Sequence, residues 1–546
     1  MESAHKIIVS IDFGTTYTAV AWVDASNSSH IEIISNWPTA GQVVGSQVPT
    51  EIAYGYNDPT KFFWGYNINP NLQKIKWFKL SLELEQDVVE FPWGLTSADV
   101  VGDYLSAVCK HVMATLHRRV DREIMQKATV DFALTVPAIW SDAARKKTQD
   151  AAIKAGMGQN MLPQIYSEPE CAAIYALKDL DDIESLRIND CILICDAGGG
   201  TVDIITYKIL QINPLSIVEC TAGTGDYCGS TFVDREFEKL FVRRMGSHHA
   251  TLSSVHRQQV IKNFEAAKVA FRNEPEQEDF YVNLPTVGDI EEAGVHSGNL
   301  HLSRADMRGL FDPIIDRVLG LINVQVKTVS SVNLIVLVGG FGESEYLYQR
   351  VLTWASGAQI RVLQPREAAT AIVRGAVLKG LETAGISKTR IVRRARRWYG
   401  VTVNETFVEG KHRPEDRCPN IDTGQILARN QIRWFIQKDQ LMSDEETFRH
   451  GFHRDFRHLT MWKDTLVSCM ADNPPTRLEA PVTRLCTITS DLTHLKKRAF
   501  TRRRWRLFER YYTARYTLCL GVHNNNLTFM LEFDGRQYGL ANVDFD

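Results

Sequence analysis

Several features that would assign a protein class are missing from this sequence. The chain has 546 residues and ten cysteines but no Cys-x-x-Cys pair, so the cysteines predict neither a disulfide framework nor a zinc site. No apolar run approaches the roughly 20 residues that a membrane-spanning helix requires. The N-terminal segment reaches a charged strand end too early for a signal peptide. We therefore expect a soluble protein in a reducing compartment, the cytoplasm, with the nucleus left open.

A strong charge of one sign is also absent. The formal net charge is −3, which argues against nucleic acid as a general partner. Residues 381–546 contain 28 Lys and Arg and 20 Asp and Glu, a net charge of 28 − 20 = +8, so the remainder carries −3 − 8 = −11. This asymmetry predicts a different role for the C-terminal part. Its basic clusters at 388–397 and 496–506 are compatible with binding an acidic partner, nucleic acid or a membrane surface, although solvated faces are the commoner explanation.

Two common nucleotide-binding loops are missing as well. The single Gly-Lys pair, Gly410-Lys411, lacks the upstream glycine of a P-loop, which argues against a P-loop NTPase. The glycines of Thr221–Phe241 are spaced one residue too widely for the dinucleotide-binding fingerprint. They also precede no βαβ unit, so we do not expect a dinucleotide cofactor.

What the sequence does contain is two copies of one hairpin. In Cys191–Leu210, an apolar run ends on Asp196, three glycines follow, and a second apolar run begins after Asp203. The segment Ile7–Val23 repeats this pattern around Asp12. Glycine turns bring backbone N–H groups close to an anion, and aspartates can hold a hydrated Mg²⁺ ion. For either segment alone, a plain hairpin with surface acids remains the alternative.

A third segment, Asn333–Leu347, is a buried strand that runs into Gly339-Gly340 and then a helix. Together the three segments resemble the actin, sugar-kinase and heat-shock ATPase superfamily, and most closely the heat shock protein 70 (DnaK-type) family. The segments at 135–157 and 165–177 resemble this family closely, and the resemblance spans roughly residues 7–382. It implies an α/β, actin-like fold with two duplicated lobes. It also implies ATP or ADP and Mg²⁺ as ligands, with K⁺ left open.

The resemblance further implies a set of site residues. Asp12 and Asp196 would hold Mg²⁺ through water. Lys76, Glu168, Asp196, Thr201 and Asp203 would position the attacking water and stabilise charge on the γ-phosphoryl group. The ribose and base would contact Glu265 and Lys268. The phosphate-binding backbone is expected at Gly14, Thr15, Thr16, Tyr17, Gly198, Gly199, Gly200, Thr201, Gly229, Gly339 and Gly340.

Four positions depart from the family pattern near the adenosine. Val269 replaces an arginine that normally stacks on adenine, and Arg366 replaces an acid. Phe341 and Glu343 occupy places that usually hold serine and arginine. Phe341 is a candidate for stacking on the base, with a core position as the open alternative. The loss of the arginine removes a cation–π contact and predicts weaker ATP affinity or relaxed base choice.

We predict an ATPase domain at 1–385, a basic linker at 386–398, and a reduced β-rich domain without a helical lid at 399–546. This organisation resembles the divergent branch typified by heat shock proteins 12A and 12B. It predicts a chaperone-like protein that slowly hydrolyses Mg-ATP and thereby switches the binding of protein or peptide partners by its C-terminal domain. Two alternatives are a nucleotide-sensing interaction protein with negligible hydrolysis and, with less support, a small-molecule kinase.

Overall fold

The computed structural model divides the chain into two compact units, Met1–Thr389 and Arg390–Asp546. The structure describes residues 5–39, 45–56, 58–69, 71–84, 89–159, 161–179, 186–274, 276–284, 287–329, 331–387, 389–420, 422–443, 446–504, 510–523 and 526–542.

The first unit alternates strands and helices along the chain. Its described strands are β1 (Lys6–Phe13), β2 (Tyr17–Asp24), β3 (Glu32–Ile33), β4 (Gln47–Pro49), β5 (Glu51–Gly55), β6 (Asp58–Trp64), β7 (Ile75–Lys76), β8 (Thr129–Val136), β9 (Gln164–Ser167), β10 (Cys191–Ala197), β11 (Val202–Gln211), β12 (Ser216–Glu219), β13 (Thr224–Asp226), β14 (Phe280–Asn283), β15 (Val295–His296), β16 (Asn299–Leu302), β17 (Leu334–Val338) and β18 (Arg361–Leu363). Its described helices are α1 (Ser97–Arg119), α2 (Arg122–Lys127), α3 (Asp142–Lys154), α4 (Glu168–Asp179), α5 (Thr231–Met245), α6 (Ser247–Thr251), α7 (Ser254–Ala270), α8 (Arg304–Thr328), α9 (Glu345–Gly357) and α10 (Ala371–Thr383).

Two sheets of the same topology form the centres of two lobes. The first sheet has the order β3-β2-β1-β8-β9, and the second contains the order β12-β11-β10-β17-β18. In each, an antiparallel hairpin (β1–β2 or β10–β11) lies beside two strands that run parallel to its first strand. Both hairpins are almost fully buried, as their continuously apolar sequences predict. The duplicated two-lobed α/β fold is therefore confirmed.

Helices begin where the sequence supplies a side-chain cap. The Ser141 hydroxyl accepts a hydrogen bond from the Ala144 N–H group at 3.2 Å, which starts α3 at the predicted position. Thr96 and Asp99 form a reciprocal capping box at the start of α1. These helices cover the sheet of the first lobe and bury its apolar residues in one core.

The last helix of the first unit, α10, returns to the N-terminal hairpin. Val373, Val377 and Leu381 pack against apolar side chains of β1 and β2. A Cβ atom placed on Gly375 would lie 1.8 Å from the carbonyl oxygen of Cys171 on α4, so only glycine allows these two helices to cross.

The second unit is built from strands alone apart from short 3-10 turns in its described residues. These strands are β19 (Arg390–Arg394), β20 (Trp398–Thr406), β21 (Arg417–Pro419), β22 (Ile426–Ile436), β23 (Leu441–Ser443), β24 (Thr447–Phe456), β25 (Trp462–Cys469), β26 (Thr483–Ser490), β27 (Thr501–Arg504), β28 (Arg510–His523), β29 (Asn526–Phe533) and β30 (Arg536–Asn542). Two antiparallel sheets, β21-β22-β20-β25-β26 and β24-β28-β29-β30, share one apolar core, and β27 pairs with β28.

The segment predicted as a basic linker differs from that expectation. Residues 390–394 form β19, which pairs with β23 inside the second unit. The burial of successive residues alternates there, so Ile391 and Arg393 are buried while Arg390 is exposed. Alternating burial is typical of a strand, and the second unit begins at 390, before the predicted boundary at 399.

Candidate functional site

Four buried carboxylates lie together between the two lobes. Asp12 lies near the end of β1 and Asp196 near the equivalent end of β10, while Asp203 pairs with Asp196 across the second hairpin. Glu168 begins α4. Each of the four is less than a tenth exposed, so the duplicated hairpins bring together the acids that the sequence singled out.

The pKa shifts of these aspartates show how closely the negative charges approach. Burial and the neighbouring Glu168 carboxylate raise the pKa of Asp12 to about 7, and the same two causes raise that of Asp203 to about 7. Burial, Glu168, Asp203 and Asp12 raise the pKa of Asp196 well above its ordinary range. A cation bound here would favour the ionised forms.

Hydrogen bonds satisfy only part of this cluster. Asp12 accepts from the Thr135 hydroxyl at 2.8 Å, and Asp203 Oδ1 accepts from the Ile139 N–H group at 3.2 Å. Asp196 Oδ1 and Asp203 Oδ2 are buried without a hydrogen-bond partner among the described residues. Buried carboxylate oxygens normally have partners, so these two atoms fit a site in which water or a hydrated Mg²⁺ ion would supply them.

One buried lysine opposes the negative charge, and it is not the lysine that the sequence singled out. Lys79 donates to Glu168 Oε1 at 2.8 Å, and its side chain is 2% exposed. Lys76 lies 3.1 Å from Glu51 and is 37% exposed. Lys79 is the cation that opposes the rise in the pKa values of Asp12, Asp196 and Asp203, whereas Lys76 has no such effect on them. The sequence signal for Lys79 is its place between Phe78 and Leu80, because a lysine flanked by apolar residues requires a partner when the segment is buried.

The two glycine turns face each other. Gly14, Thr15 and Thr16 connect β1 to β2, and Tyr17 begins β2. Gly198, Gly199, Gly200 and Thr201 connect β10 to β11. Cβ atoms placed on Gly199 and Gly200 would lie 2.2 Å and 2.6 Å from the hydroxyl oxygens of Thr16 and Thr15. Side chains at these glycines would therefore clash with the opposite turn.

The start of α5 closes one side of the second turn. The N–H groups of Ser230 and Thr231 donate to the carbonyl oxygens of Gly198 and Gly199 at 3.1 Å and 2.9 Å. A Cβ atom on Gly229 would lie 2.4 Å from the Gly199 carbonyl oxygen. The structure therefore places Gly229 against the second glycine turn, and its contact with phosphate stays a prediction.

The third glycine segment lies against Asp196. Gly339 has φ +83°, and a Cβ atom on it would lie 2.6 Å from Asp196 Oδ1. The Phe341 N–H group donates to the Ala197 carbonyl oxygen at 2.8 Å. The Phe341 ring is 4% exposed and packs towards Phe311, which is the core position left open above, whereas Gly340 is exposed.

The residues expected near the ribose and base differ in how they are placed. Lys268 is buried and lies 2.8 Å from Asp234 and 2.7 Å from Glu265, so both neighbours hold its ammonium. Val269 is 71% exposed. Elsewhere, Glu343 accepts from the Ala369 N–H group at 3.0 Å.

The second unit has a cavity and an exposed basic segment. The cavity, of about 510 Å³, lies on the sheet β24-β28-β29-β30 and is lined in part by His453, Arg515, Glu532 and Asp534. In the predicted cluster 496–506, Lys496, Lys497, Arg498, Arg502 and Arg503 are exposed, while 505 and 506 lie outside the described residues. Lys388 of the other cluster is outside them too, and Arg393 in that cluster is buried.

Two kinds of feature are absent from the described ranges. No helix there combines the length and apolar character needed to cross a bilayer. No three His, Cys, Asp or Glu side chains converge there as direct metal ligands.

Comparison with known proteins extends over both units. Residues 87–390 match the family described as "Hsp70 protein", and residues 393–540 match a "Domain of unknown function (DUF8568)". The chain is 26% identical to Heat shock 70 kDa protein 12A of Mus musculus, over 83% of this chain and 80% of that protein. It is 24% identical to Heat shock 70 kDa protein 12B of Homo sapiens, over 83% and 79% of the two chains. Chaperone protein DnaK of Mycoplasma mycoides is 27% identical over 69% of this chain and 60% of its own.

The family match covers more than half of the chain and includes α4, α5 and the second glycine turn. It agrees with the duplicated sheets and with the carboxylates at equivalent strand ends. At family level this implies a nucleotide-binding ATPase domain of the kind that generally uses Mg²⁺. The chain belongs to the Hsp70 family.

Proposed function

We propose that the first unit binds Mg-ATP between its lobes and hydrolyses it slowly, and that the bound nucleotide switches the interactions of the second unit. The observation that carries this proposal is the cluster of four buried carboxylates beside the duplicated glycine turns. Within the described ranges, the ammonium of Lys79 is too little charge to balance four carboxylates, and Asp196 Oδ1 and Asp203 Oδ2 have no hydrogen-bond partner. Mg²⁺, when bound, supplies the missing positive charge.

The residues around the cluster have separate roles in this proposal. Asp12 and Asp196 hold the hydrated cation, and the backbone of both glycine turns contacts the phosphates. The free oxygen of Asp203 accepts a hydrogen bond from the attacking water. Lys79, held by Glu168, stabilises the charge that develops on the γ-phosphoryl group, the role expected above for Lys76. Catalysis of this type is largely positioning and electrostatics, which suits slow turnover by a regulatory protein.

One observation favours the second candidate, a nucleotide sensor with negligible hydrolysis. Val269 is mostly exposed and cannot stack a cation on adenine. A weakly held nucleotide would spend less time in the geometry that hydrolysis requires. The phosphate side of the site keeps its acids and glycines, so binding would survive where turnover does not.

The deciding experiment is Mg-ATP titration calorimetry combined with single-turnover hydrolysis on the full chain. The wild type is compared with Asp196→Asn and Lys79→Met, and Lys76→Met is the matched control. Binding with slow hydrolysis that is lost in Asp196→Asn and Lys79→Met but kept in Lys76→Met supports the ATPase. If the wild type binds Mg-ATP but neither it nor any variant hydrolyses it, the result supports the nucleotide sensor. The absence of ATP binding by the wild type would contradict both.

We also propose that the second unit contacts a protein or peptide partner. Its support is the cavity that presents both cationic and anionic side chains, a lining suited to a polar peptide. An unbiased peptide-array screen with the wild type and Arg515→Ala tests this proposal. Equal binding profiles for the two proteins would contradict the proposal that this cavity binds the peptide.

A further inference from the structure

Strand β24 forms one edge of its sheet in the second unit and has a free side. In the order β24-β28-β29-β30 it pairs with β28, and its ten residues follow that partner in an unbroken register. In an antiparallel pair, every second residue directs its N–H and C=O groups away from the partner strand. Within the described ranges, no further group hydrogen-bonds to the backbone of β24. The strand therefore offers a row of unpaired backbone donors and acceptors.

The features by which proteins usually block a free sheet edge are missing from β24. Its sequence, TFRHGFHRDF, contains no proline and no lysine, and no bulge interrupts its pairing. Its two arginines are held by the protein itself, since Arg449 lies 2.6 Å from Glu532 and Arg454 lies 2.8 Å from Asp464. Gly451 is exposed in the middle of the strand, with no atom within 4 Å of an added Cβ. The edge is thus long, straight and accessible to another strand.

Two other arginines lie beside this edge, one on each face of the sheet. The guanidinium carbon of Arg433, on β22, lies 5.6 Å from the centre of the Phe452 ring. Arg515, on β28, pairs in register with His453 and lines the cavity beside Gly451. Phe452 and His453 are successive residues of a strand, so they point to opposite faces. In the part of the chain that the structure describes, neither Arg433 nor Arg515 makes a hydrogen bond or an ion pair.

We propose that an acidic peptide adds to β24 as a further strand of this sheet. Its backbone pairs with the free side of β24. Its consecutive acidic residues point to opposite faces, where one reaches Arg433 and the next reaches Arg515 through the cavity. A second copy of β24 is disfavoured as the occupant, because it would bring its own arginines to the same edge. The inference rests on the peptide binding proposed above for the second unit, and it names the class of peptide and the strand that receives it.

The probe is a fluorescent octapeptide, Glu-Glu-Val-Val-Glu-Glu-Val-Val, and the control peptide has lysine in place of glutamate. Fluorescence anisotropy with the full chain measures both affinities. Combining Arg433→Gln with Arg515→Gln should weaken binding of the acidic peptide about tenfold, through the loss of two opposite-charge contacts between strands. The matched control combines Arg502→Gln with Arg503→Gln, which removes two exposed arginines from β27 on the other side of β28. That control should change the affinity by less than about twofold.

Amide hydrogen exchange, measured residue by residue, distinguishes strand addition from a looser contact between charges. Without peptide, the amides of β24 that bond to β28 should exchange slowly and the outward amides quickly. The acidic peptide should protect the outward amides, which occur at every second residue of 447–456. Equal weakening in the two double variants, equal binding of the lysine peptide, or unchanged exchange in β24 would each overturn the inference.

The remaining outcomes separate this inference from the proposal on which it rests. Protection of the outward amides without peptide, rising with protein concentration, would identify a second copy as the occupant and would overturn the inference. Failure of the acidic probe to bind, while the peptide array identifies other peptides that require Arg515, would overturn strand addition and leave the proposed cavity site standing. An array in which no peptide requires Arg515 would contradict the cavity site, and exchange in β24 would still decide the inference.

Discussion

Replacing Lys79 by methionine should strongly destabilise the nucleotide-free protein. Methionine retains most of the apolar stem, which lies near the rings of Phe13 and Trp140, with the ammonium 5.7 Å and 5.2 Å from their centres. What is lost is the buried cation beside Glu168 in a cluster of four carboxylates. Removing one partner of a buried ion pair costs about 3–5 kcal/mol, because the remaining charge stays desolvated.

Lys76→Met is the matched control, since it removes the same group three residues away. Lys76 is 37% exposed and pairs with Glu51, to which Lys74 is also close. A partly exposed pair of this kind contributes about 0–1 kcal/mol. The two substitutions therefore make the same chemical change at two lysines that differ in burial and in their carboxylate partner.

Urea unfolding of the full chain at neutral pH measures both free energies of unfolding. We expect Lys79→Met to lose at least about 2 kcal/mol more than Lys76→Met. Losses that agree within about 0.5 kcal/mol would refute the assignment of Lys79 as the buried counter-charge. A larger loss for Lys76→Met would return the role to the lysine that the sequence analysis favoured.

Three further predictions concern titration, backbone and base contact. Without nucleotide, the free energy of unfolding should fall as the pH rises from about 4 to about 7. The reason is that Asp12 and Asp203 have pKa values of about 7 in the folded protein and 3.8 in the unfolded chain, so they take up protons on folding. That contribution is complete below the unfolded value and is lost as the pH rises through 7, and Asp203→Asn should flatten the slope in urea titrations. Gly339→Ala should lower the melting temperature, with a cost of about 1–3 kcal/mol from its positive φ and the crowding of Asp196, whereas Gly340→Ala, with no atom near its added Cβ, should not. Val269→Arg should raise ATP affinity by roughly fivefold if the guanidinium stacks on adenine, and calorimetry that shows no gain, or an equal gain for Val269→Gln, would contradict this.

Much of the first unit could be predicted because its hairpins have an unusual sequence. A continuously apolar run that ends on one aspartate and then glycine is seldom compatible with a helix, and the pattern occurs twice. The lysine could not be placed by the same means. Lys76 and Lys79 lie in one segment, with the left-handed Trp77 between them. Tryptophan rarely adopts a positive φ, so the sequence does not predict this change of direction.

Other parts of the site depended on tertiary packing that a local pattern does not contain. Phe341 follows two glycines in a place where a base could stack, but its ring faces Phe311 from a helix distant in sequence. Asp196 Oδ1 and Asp203 Oδ2 have no hydrogen-bond partner in the described part of the chain, and their burial is a result of tertiary packing. In the second unit, the strand at 390–394 was not predicted because its sequence, Arg-Ile-Val-Arg-Arg, does not alternate apolar and polar residues and its charge density suggested a linker.

The path of α10 has a consequence for the order in which the protein can fold as it is synthesised. The apolar face of the N-terminal hairpin, formed by Ile8, Ala19, Ala21 and Val23, is covered by residues of α10. That face stays uncovered until almost the whole first unit has left the ribosome. While the rest of the first unit is being synthesised, the nascent N-terminal lobe therefore exposes an apolar face that favours aggregation. We expect this protein, although related to chaperones, to require a chaperone during its own folding.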